Sequence, residues 1–219
     1  MEINGSFTAI AGKSGCGKST LIEIILGIRQ IDSGNITFLT DKGEKYNNCK
    51  IGYIQQFASV YDGSLINNIF YFKKKITSKD FKILNELFEL FDFNVILENI
   101  FKEDILRDIP LEECYQKEIF KRQKPILSGG QQQRLQIIRV CAQALIYNKN
   151  IIISDELTSA LDSQSANLVW NGLYTFSKKY NIMIINFIHP NILKEYSSLF
   201  NQKIIINNEN NIRDFQFIE

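Results

Sequence analysis

The sequence predicts an α/β fold with a largely parallel sheet covered by helices on both faces, interrupted by an inserted helical subdomain. Three observations carry this. First, short apolar runs rich in Ile, Phe, Val and Thr read as buried strands: Phe7–Ala11, Ile36–Leu39, Ile51–Ile54, Ile151–Ser154, Ile182–Phe187 and Lys203–Ile206. Second, longer helix-spaced segments lie between them. One runs from Ser19 to Ile28. Another follows Gly130 and places Leu135, Ile138, Cys141, Ala142 and Leu145 on one face. Alternating strands and helices favour a parallel sheet. Third, residues 67–126 have a different texture. Thr77-Ser78-Lys79-Asp80 is a capping-box pattern, followed by Phe81, Leu84, Leu87, Phe88 and Phe91 at helical spacing. This stretch reads as a helical subdomain whose aromatics pack a core, set into an α/β core of residues 1–66 and 127–219.

Composition narrows the function. A chain of 219 residues, 45% of them apolar, buries a real core and is not disordered by default. With 25 basic and 24 acidic residues the net charge is +1, so neither a broad nucleic-acid surface nor an anionic-membrane surface is expected. Cys16, Cys49, Cys114 and Cys141 form no CxxC pair, and His189 is the sole histidine, which argues against a zinc site or a disulfide framework and fits a reducing cytosol. No apolar run reaches membrane-spanning length, and no signal pattern opens the chain.

Residues 12–20 read GKSGCGKST: Gly12, Lys13, Ser14, Gly15, Cys16, Gly17, Lys18, Ser19 and Thr20. They follow a strand and open a helix, as G-x-x-x-x-G-K-[ST] requires. The glycines let the backbone curl so that successive N–H groups face phosphate oxygens, and the helix adds its positive end. Lys18 then reaches the β- and γ-phosphates, and the Ser19 hydroxyl binds Mg²⁺. The expected fold is therefore a P-loop NTPase (RecA-like) core. Cys16 reads as a small filler, although the electropositive loop favours thiolate.

The segment Asn150–Asp162 (NIIISDELTSALD) supplies the second half of the chemistry. A buried Ile strand delivers Asp155 and Glu156 at its C-terminal end, the edge where open α/β sheets bind ligands. Asp155 is expected to hold Mg²⁺ and Glu156 to polarise the attacking water.

Residues 127–134 read LSGGQQQR, and here the chain resembles the ATP-binding cassette (ABC) ATPases over nearly its whole length. The elements come in order: phosphate loop, glutamine loop (IGYIQQ, with Gln56), signature (127–131), acidic strand, SALD loop (159–162) and switch histidine (His189 in INFIHP). The resemblance implies Mg-ATP hydrolysis by two cassettes facing head to tail, with Ser128, Gly129, Gly130 and Gln131 of one closing on the ATP of the other. The residues agree: a hydroxyl, two glycine N–H groups and a helix start make a second anion site. The resemblance further implies that Gln56 contacts Mg²⁺ and the attacking water, that His189 senses the γ-phosphate, and that Asp162 couples the two sites. An N-cap role for Asp162 is compatible with this. The implied partners are a second cassette and a transmembrane domain, in trans or fused upstream, with the chain peripheral to the inner face of a cell membrane.

Val60–Ile69 (VYDGSLINNI) is similar to the corresponding region of exporter cassettes and points to export, but the acidic loop of exporters before the signature is replaced by IFKRQKPI. Ser154 and Leu157 stand where Leu and Pro are usual. Eleven residues precede Gly12, too few for the family's usual adenine-stacking aromatic. Base contact is therefore expected from elsewhere or from a partner, and the chain is open to being an excised piece. Two other readings stand beside transport. A soluble ABC ATPase of DNA repair, chromosome organisation or translation is disfavoured by the short interval between Gln56 and Leu127 and the lack of zinc-finger cysteines. A binding-only cassette is disfavoured because Lys18, Asp155, Glu156 and His189 are all present.

Overall fold

The computed structural model describes residues 1–219 apart from 40–41, 47–48, 71–74, 122, 124–125, 160, 210–211 and 219, and apart from the side chains of 208–209 and 212–214. Ala160 of the expected 159–162 loop, and part of the stretch before the signature, thus lie outside the described residues. In chain order the elements are β1 (Phe7–Gly12), α1 (Lys18–Ile25), β2 (Ile51–Ile54), α2 (Leu65–Phe70), α3 (Ser78–Leu90), α4 (Asn94–Ile100), α5 (Lys102–Ile105), α6 (Leu111–Cys114), α7 (Gly129–Ile146), β3 (Ile151–Asp155), α8 (Ser163–Tyr180), β4 (Met183–Ile188), α9 (Pro190–Glu195), a 3-10 turn (Ser197–Leu199), β5 (Gln202–Glu209) and β6 (Ile212–Ile218).

The six strands form one sheet in the order β2-β3-β4-β1-β5-β6. The first five run parallel, and β6 closes the edge antiparallel to β5. Every residue of β1 is buried, as a central parallel strand covered on both faces should be. Side chains alternate between the two layers. Ile10, Ile153, Ile185, Phe187 and Ile204 face α1, where Ile22 and Leu21 meet them. Phe7, Ala9, Ile152 and Ile184 face the other way, against Leu135 and Ile138 of α7 and Trp170 and Leu173 of α8. On that side Phe7 stacks on Phe200 at 5.3 Å and meets Trp170 edge-on at 6.5 Å. Such pairs contribute about 0.5–1.5 kcal/mol each beyond the area they bury.

The elements described between β2 and α7 are all helices, α2 to α6. The Asp80 carboxylate accepts from both the Thr77 N–H and the Thr77 hydroxyl at 2.7 Å, which fixes the start of α3. Leu84, Leu87, Phe88 and Phe91 are fully buried in the same cluster as α7 and α8. Within α7, Leu135, Ile138, Cys141 and Ala142 are buried and Leu145 is partly buried, the stripe expected from the sequence.

The structure departs from the sequence reading in three places. Ile36–Leu39 is not a strand: its only ladder contact among the described residues is a single bridge from Leu39 to Lys45. Ile36 and Leu39 are 41% and 57% exposed, and of the run Phe38 alone packs on the core. The edge strand β6 has no counterpart in the sequence reading, because its charged residues mask the alternation. Helix α8 is legible only at its cap.

Candidate active site

Sheet order decides what can meet. Strand β4 lies between β1 and β3, with Ala11 beside Ile188 and Asp155 beside Phe187. Strand β2 lies beside β3, with Ile54 beside Ser154. The phosphate-loop sequence after β1, His189 after β4, Asp155 and Glu156 at the end of β3, and Gln56 after β2 therefore leave one sheet edge at one level. This is the carboxyl edge where open α/β sheets carry their chemistry.

The loop between β1 and α1 is built by its glycines. Gly15 and Gly17 sit at φ 79° and 102°, left-handed conformations that a residue with a Cβ resists. Gly17 is also the N-cap of α1. Gly12 has a different reason. A Cβ there would stand 2.4 Å from the Cys16 sulfur, so Gly12 is required by close packing. Cys16 itself is 5% exposed and packs with Ile10 and Ile22 under the loop. It contributes backbone to the loop, while its side chain fills the core. Lys13, Ser14, Gly15 and Ser19 are exposed, and Thr20 is half-buried at the mouth.

Lys18 is buried. Its ammonium donates to the Gly12 carbonyl at 2.7 Å and to the Lys13 carbonyl at 3.3 Å, and lies 3.1 Å from Glu156 Oε1. The other carboxylate oxygen of Glu156 accepts from Gln56 Nε2 at 3.1 Å. Lys18, Glu156 and Gln56 thus form one chain of contacts. The Glu156 backbone N–H bonds the Phe187 carbonyl at 2.9 Å, yet its φ is 42°, the left-handed region. For a non-glycine residue this is a strained conformation of the kind that collects at functional positions.

Asp155 stands next to it, half-buried. Burial raises its carboxyl pKa above the usual range, and the neighbouring Glu156 charge adds to the rise. Lys18 and a hydrogen bond from Tyr53 act in the opposite direction. The Tyr53 phenol is in turn pushed up, first by burial and then by Asp155. Sequence reasoning missed Tyr53. Its signal was strand parity: Tyr53 pairs with Ile153 in register, so it shares a face with Asp155 two residues on. Tyr53, Gln55, Gln56, Phe57 and Asp155 line a shallow pocket of ≈ 280 Å³.

The donor set fits Mg²⁺. The Ser19 hydroxyl, the Asp155 carboxylate and the Gln56 amide oxygen are the hard oxygen ligands this ion takes, and it completes its shell from water and phosphate. Among the described residues there is no group of three or more His, Cys, Asp or Glu side chains that could hold a metal ion.

His189 is the N-cap of α9, exposed, with Nδ1 accepting from the Asn191 N–H at 3.4 Å. The remaining sequence-predicted residues gather at two helix starts. Ser128 caps α7 in a reciprocal box: its N–H donates to Gln131 Oε1 at 2.9 Å and its hydroxyl accepts from the Gln131 N–H at 3.4 Å. Ser128 and Gly129 are exposed. Asp162 caps α8, accepting from the Ser165 N–H and hydroxyl, both at 2.9 Å. Those bonds, the backbone one first, hold its carboxyl below the usual range. The two helix starts touch, since a Cβ on Gly130 would meet Leu161 at 3.1 Å. Ser128, Gln131 and Asp162 thus bond within their own helix ends, while Lys18, Glu156 and Gln56 bond to one another.

Residues 3–159 match the sequence profile of the ABC transporter family. The phosphonates import ATP-binding protein PhnC of Lactococcus lactis subsp. lactis is 31% identical over 90% of this chain and 78% of its own length. The lipoprotein-releasing system ATP-binding protein LolD of Buchnera aphidicola is 29% identical over 90% of the chain and 80% of its length. The ATP-dependent permease MDL1 of Candida albicans is 29% identical over 84% of the chain, which spans only 25% of that permease. Among solved structures, a bacterial Atm1-family ABC exporter with ATP bound superposes with a TM-score of 0.67 at 20% identity, over 94% of this chain and 33% of that one. An inward-facing metal-chelate-type ABC transporter superposes with a TM-score of 0.65 at 23% identity, over 100% of this chain and 75% of that one. Among the described residues no helix is long and apolar enough to cross a membrane.

Proposed function

The chain belongs to the ABC transporter family, whose ATP-binding domains hydrolyse ATP, and we propose that it binds Mg-ATP at residues 12–20 and hydrolyses it with a second cassette to energise transport. The observation that carries this reading is the meeting of Lys18, Glu156 and Gln56 at one sheet edge. In the reading, Lys18 exchanges its contacts with the Gly12 and Lys13 carbonyls and with Glu156 for the β- and γ-phosphates, a charge-assisted contact. Loop N–H groups and the start of α1 hold the remaining phosphate oxygens. Ser19, Asp155 and Gln56 would hold Mg²⁺, which would supply neutralisation of phosphate charge. Glu156, released from Lys18, orients water and takes its proton as the γ-phosphoryl bond breaks. His189, which follows β4 at the same edge, would sense the γ-phosphate.

The second cassette enters because Ser128 and Gly129 are exposed at the start of α7, and we read Ser128, Gly129, Gly130 and Gln131 as a second anion site. Docked head to tail, each copy's site would close the other's nucleotide, with Asp162 at the seam. The transmembrane partner is a domain in trans or one fused upstream, and the chain would be held through it at the inner face of a membrane. The relatives include an importer subunit and a lipoprotein-releasing subunit. We read the direction as export, on the resemblance of Val60–Ile69 to exporter cassettes. The helical segment 67–126 is read as a subdomain that carries the signature.

The test is Glu156→Gln. Phosphate release should fall by about 10²–10⁴, the usual contribution of a general base. ATP binding should persist, and sizing with ATP should show a longer-lived dimer. Phosphate release at the unmodified rate would remove Glu156 from this role.

A further inference from the structure

Helix α7 does more than present the signature. Along one face, at spacings of three and four, it carries Gln136, Arg139 and Gln143. Each donates a side-chain N–H to a backbone carbonyl of the segment that follows β2. Gln136 Nε2 bonds the Gln55 carbonyl at 3.1 Å. Arg139 bonds the Asn68 carbonyl through Nε, the Ser59 carbonyl at 2.9 Å through one terminal nitrogen, and the Asn68 side-chain oxygen at 3.4 Å. Gln143 Nε2 bonds the Ile69 carbonyl at 3.2 Å.

Arg139 is the hub of this seam. It is buried, with its guanidinium 4.8 Å from the centre of the Tyr61 ring. The fully buried Asn68 in turn folds the loop onto itself. Its oxygen accepts from the Tyr61 N–H at 2.8 Å, and its amide donates to the Tyr61 and Ser64 carbonyls at 2.9 and 3.0 Å. A loop with so many inward-facing carbonyls needs a rigid multidonor, and the planar guanidinium fork supplies one where a lysine could reach fewer acceptors at once. Arg139 lies about 15 Å of helix behind Gly129. One stiff element therefore holds both the signature end and the chain segment leaving Gln56.

We propose that Arg139 is a positioning residue for the reaction: it fixes the 57–64 loop and α2 on α7 and so holds Gln56 against Glu156. The proposal rests on the assignment of Gln56 to the reaction. It predicts that loss of the fork lets Gln56 drift from Glu156 while the phosphate loop stays intact, so turnover falls and ATP affinity does not.

The experiment is a double-mutant cycle on the full chain, with kcat, KM for ATP and the thermal midpoint measured for Arg139→Met, Gln56→Ala and the pair. Arg139→Lys serves as a milder second variant. A small misplacement of a reacting group warrants an expected drop of about tenfold in kcat for each single variant, with KM for ATP unchanged in Arg139→Met. The pair should be no slower than Gln56→Ala alone, since both act through one group. If the two losses multiply in full, Arg139 does not work through Gln56 and the proposal fails. If Gln56→Ala leaves kcat unchanged, it is the assignment of Gln56 that fails, and the proposal falls with it. If neither Arg139 variant yields a folded chain, Arg139 is a determinant of folding alone and the proposal is overturned.

Discussion

The Lys18 ammonium donates to two loop carbonyls and faces Glu156, so its charge is compensated inside the loop before any phosphate arrives. Lys18→Ala should abolish nucleotide binding, because the phosphate loses its main side-chain partner. Titration calorimetry showing unchanged affinity would contradict this. Asp155 allows a pH test. Burial raises its folded carboxyl pKa above the unfolded value, so the stability it contributes is present below the unfolded value and is lost as pH rises through the folded one. Its charged form is therefore a cost, and Asp155→Asn should raise the thermal midpoint by more as pH rises, while weakening Mg²⁺ binding. Binding of the ion favours the carboxylate, so calorimetry in two buffers at mildly acidic pH should record proton release that the Asn variant lacks. The placement of Lys18, Asp155 and Glu156 at one sheet edge was legible in sequence because a glycine-and-lysine turn at fixed spacing follows one apolar strand and an acidic pair ends another. The hydrogen bond of Tyr53 to Asp155 was not, because strand parity across β2 and β3 becomes a contact only once the sheet order is known.

At the scale of the element, the sheet contains a buried polar rung. The Ser154 hydroxyl donates to the Asn186 oxygen at 2.8 Å, and Asn186 donates to the Thr8 carbonyl at 3.1 Å, linking β3, β4 and β1. The unusual Ser before the acidic pair is thereby explained, since Asn186 is its register partner and both are fully buried. Ser154→Ala should destabilise the chain by about 1–3 kcal/mol in denaturant unfolding, because Asn186 loses a donor with no water to replace it. Combining Ser154→Ala with Asn186→Leu should recover most of that loss, since both partners of the bond are then apolar. Equal destabilisation by the single and double variants would show that the rung does not act as a pair. Helix α8 illustrates a limit of local reading. Its apolar positions, Ala166, Val169, Trp170, Leu173 and Phe176, recur at helical spacing and are all buried, but a reading that stops at the Asp162 cap does not follow them. Strand β6 illustrates another. As an edge strand it keeps polar residues, and its strand signal comes from pairing with β5.

For the molecule as a whole, the proposed head-to-tail pairing requires two surfaces. The exposed Ser128 offers a clean separation of binding from turnover. Ser128→Arg should leave ATP binding by a single copy intact, lower turnover by more than about tenfold, and prevent the dimer that Glu156→Gln accumulates on sizing. Retention of that dimer in the double variant would place the seam elsewhere. The architecture was readable at this scale because alternating strand and helix patterns leave few topologies for a parallel sheet. The loss of Ile36–Leu39 as a strand has the same physical root: apolar composition makes a strand only where a neighbouring strand pairs with it, and here the described residues form a single bridge. The left-handed backbone of Glu156 carries a practical consequence for anyone evolving this protein. Asparagine and glycine tolerate that conformation better than glutamate, by about 1–2 kcal/mol. The same exchange strips the buried Lys18 of its carboxylate partner, so a laboratory selection for heat tolerance would set relieved backbone strain against a lost ion pair and, wherever the strain prevailed, would enrich proteins without the proposed base. Any library built on this scaffold should hold that codon constant.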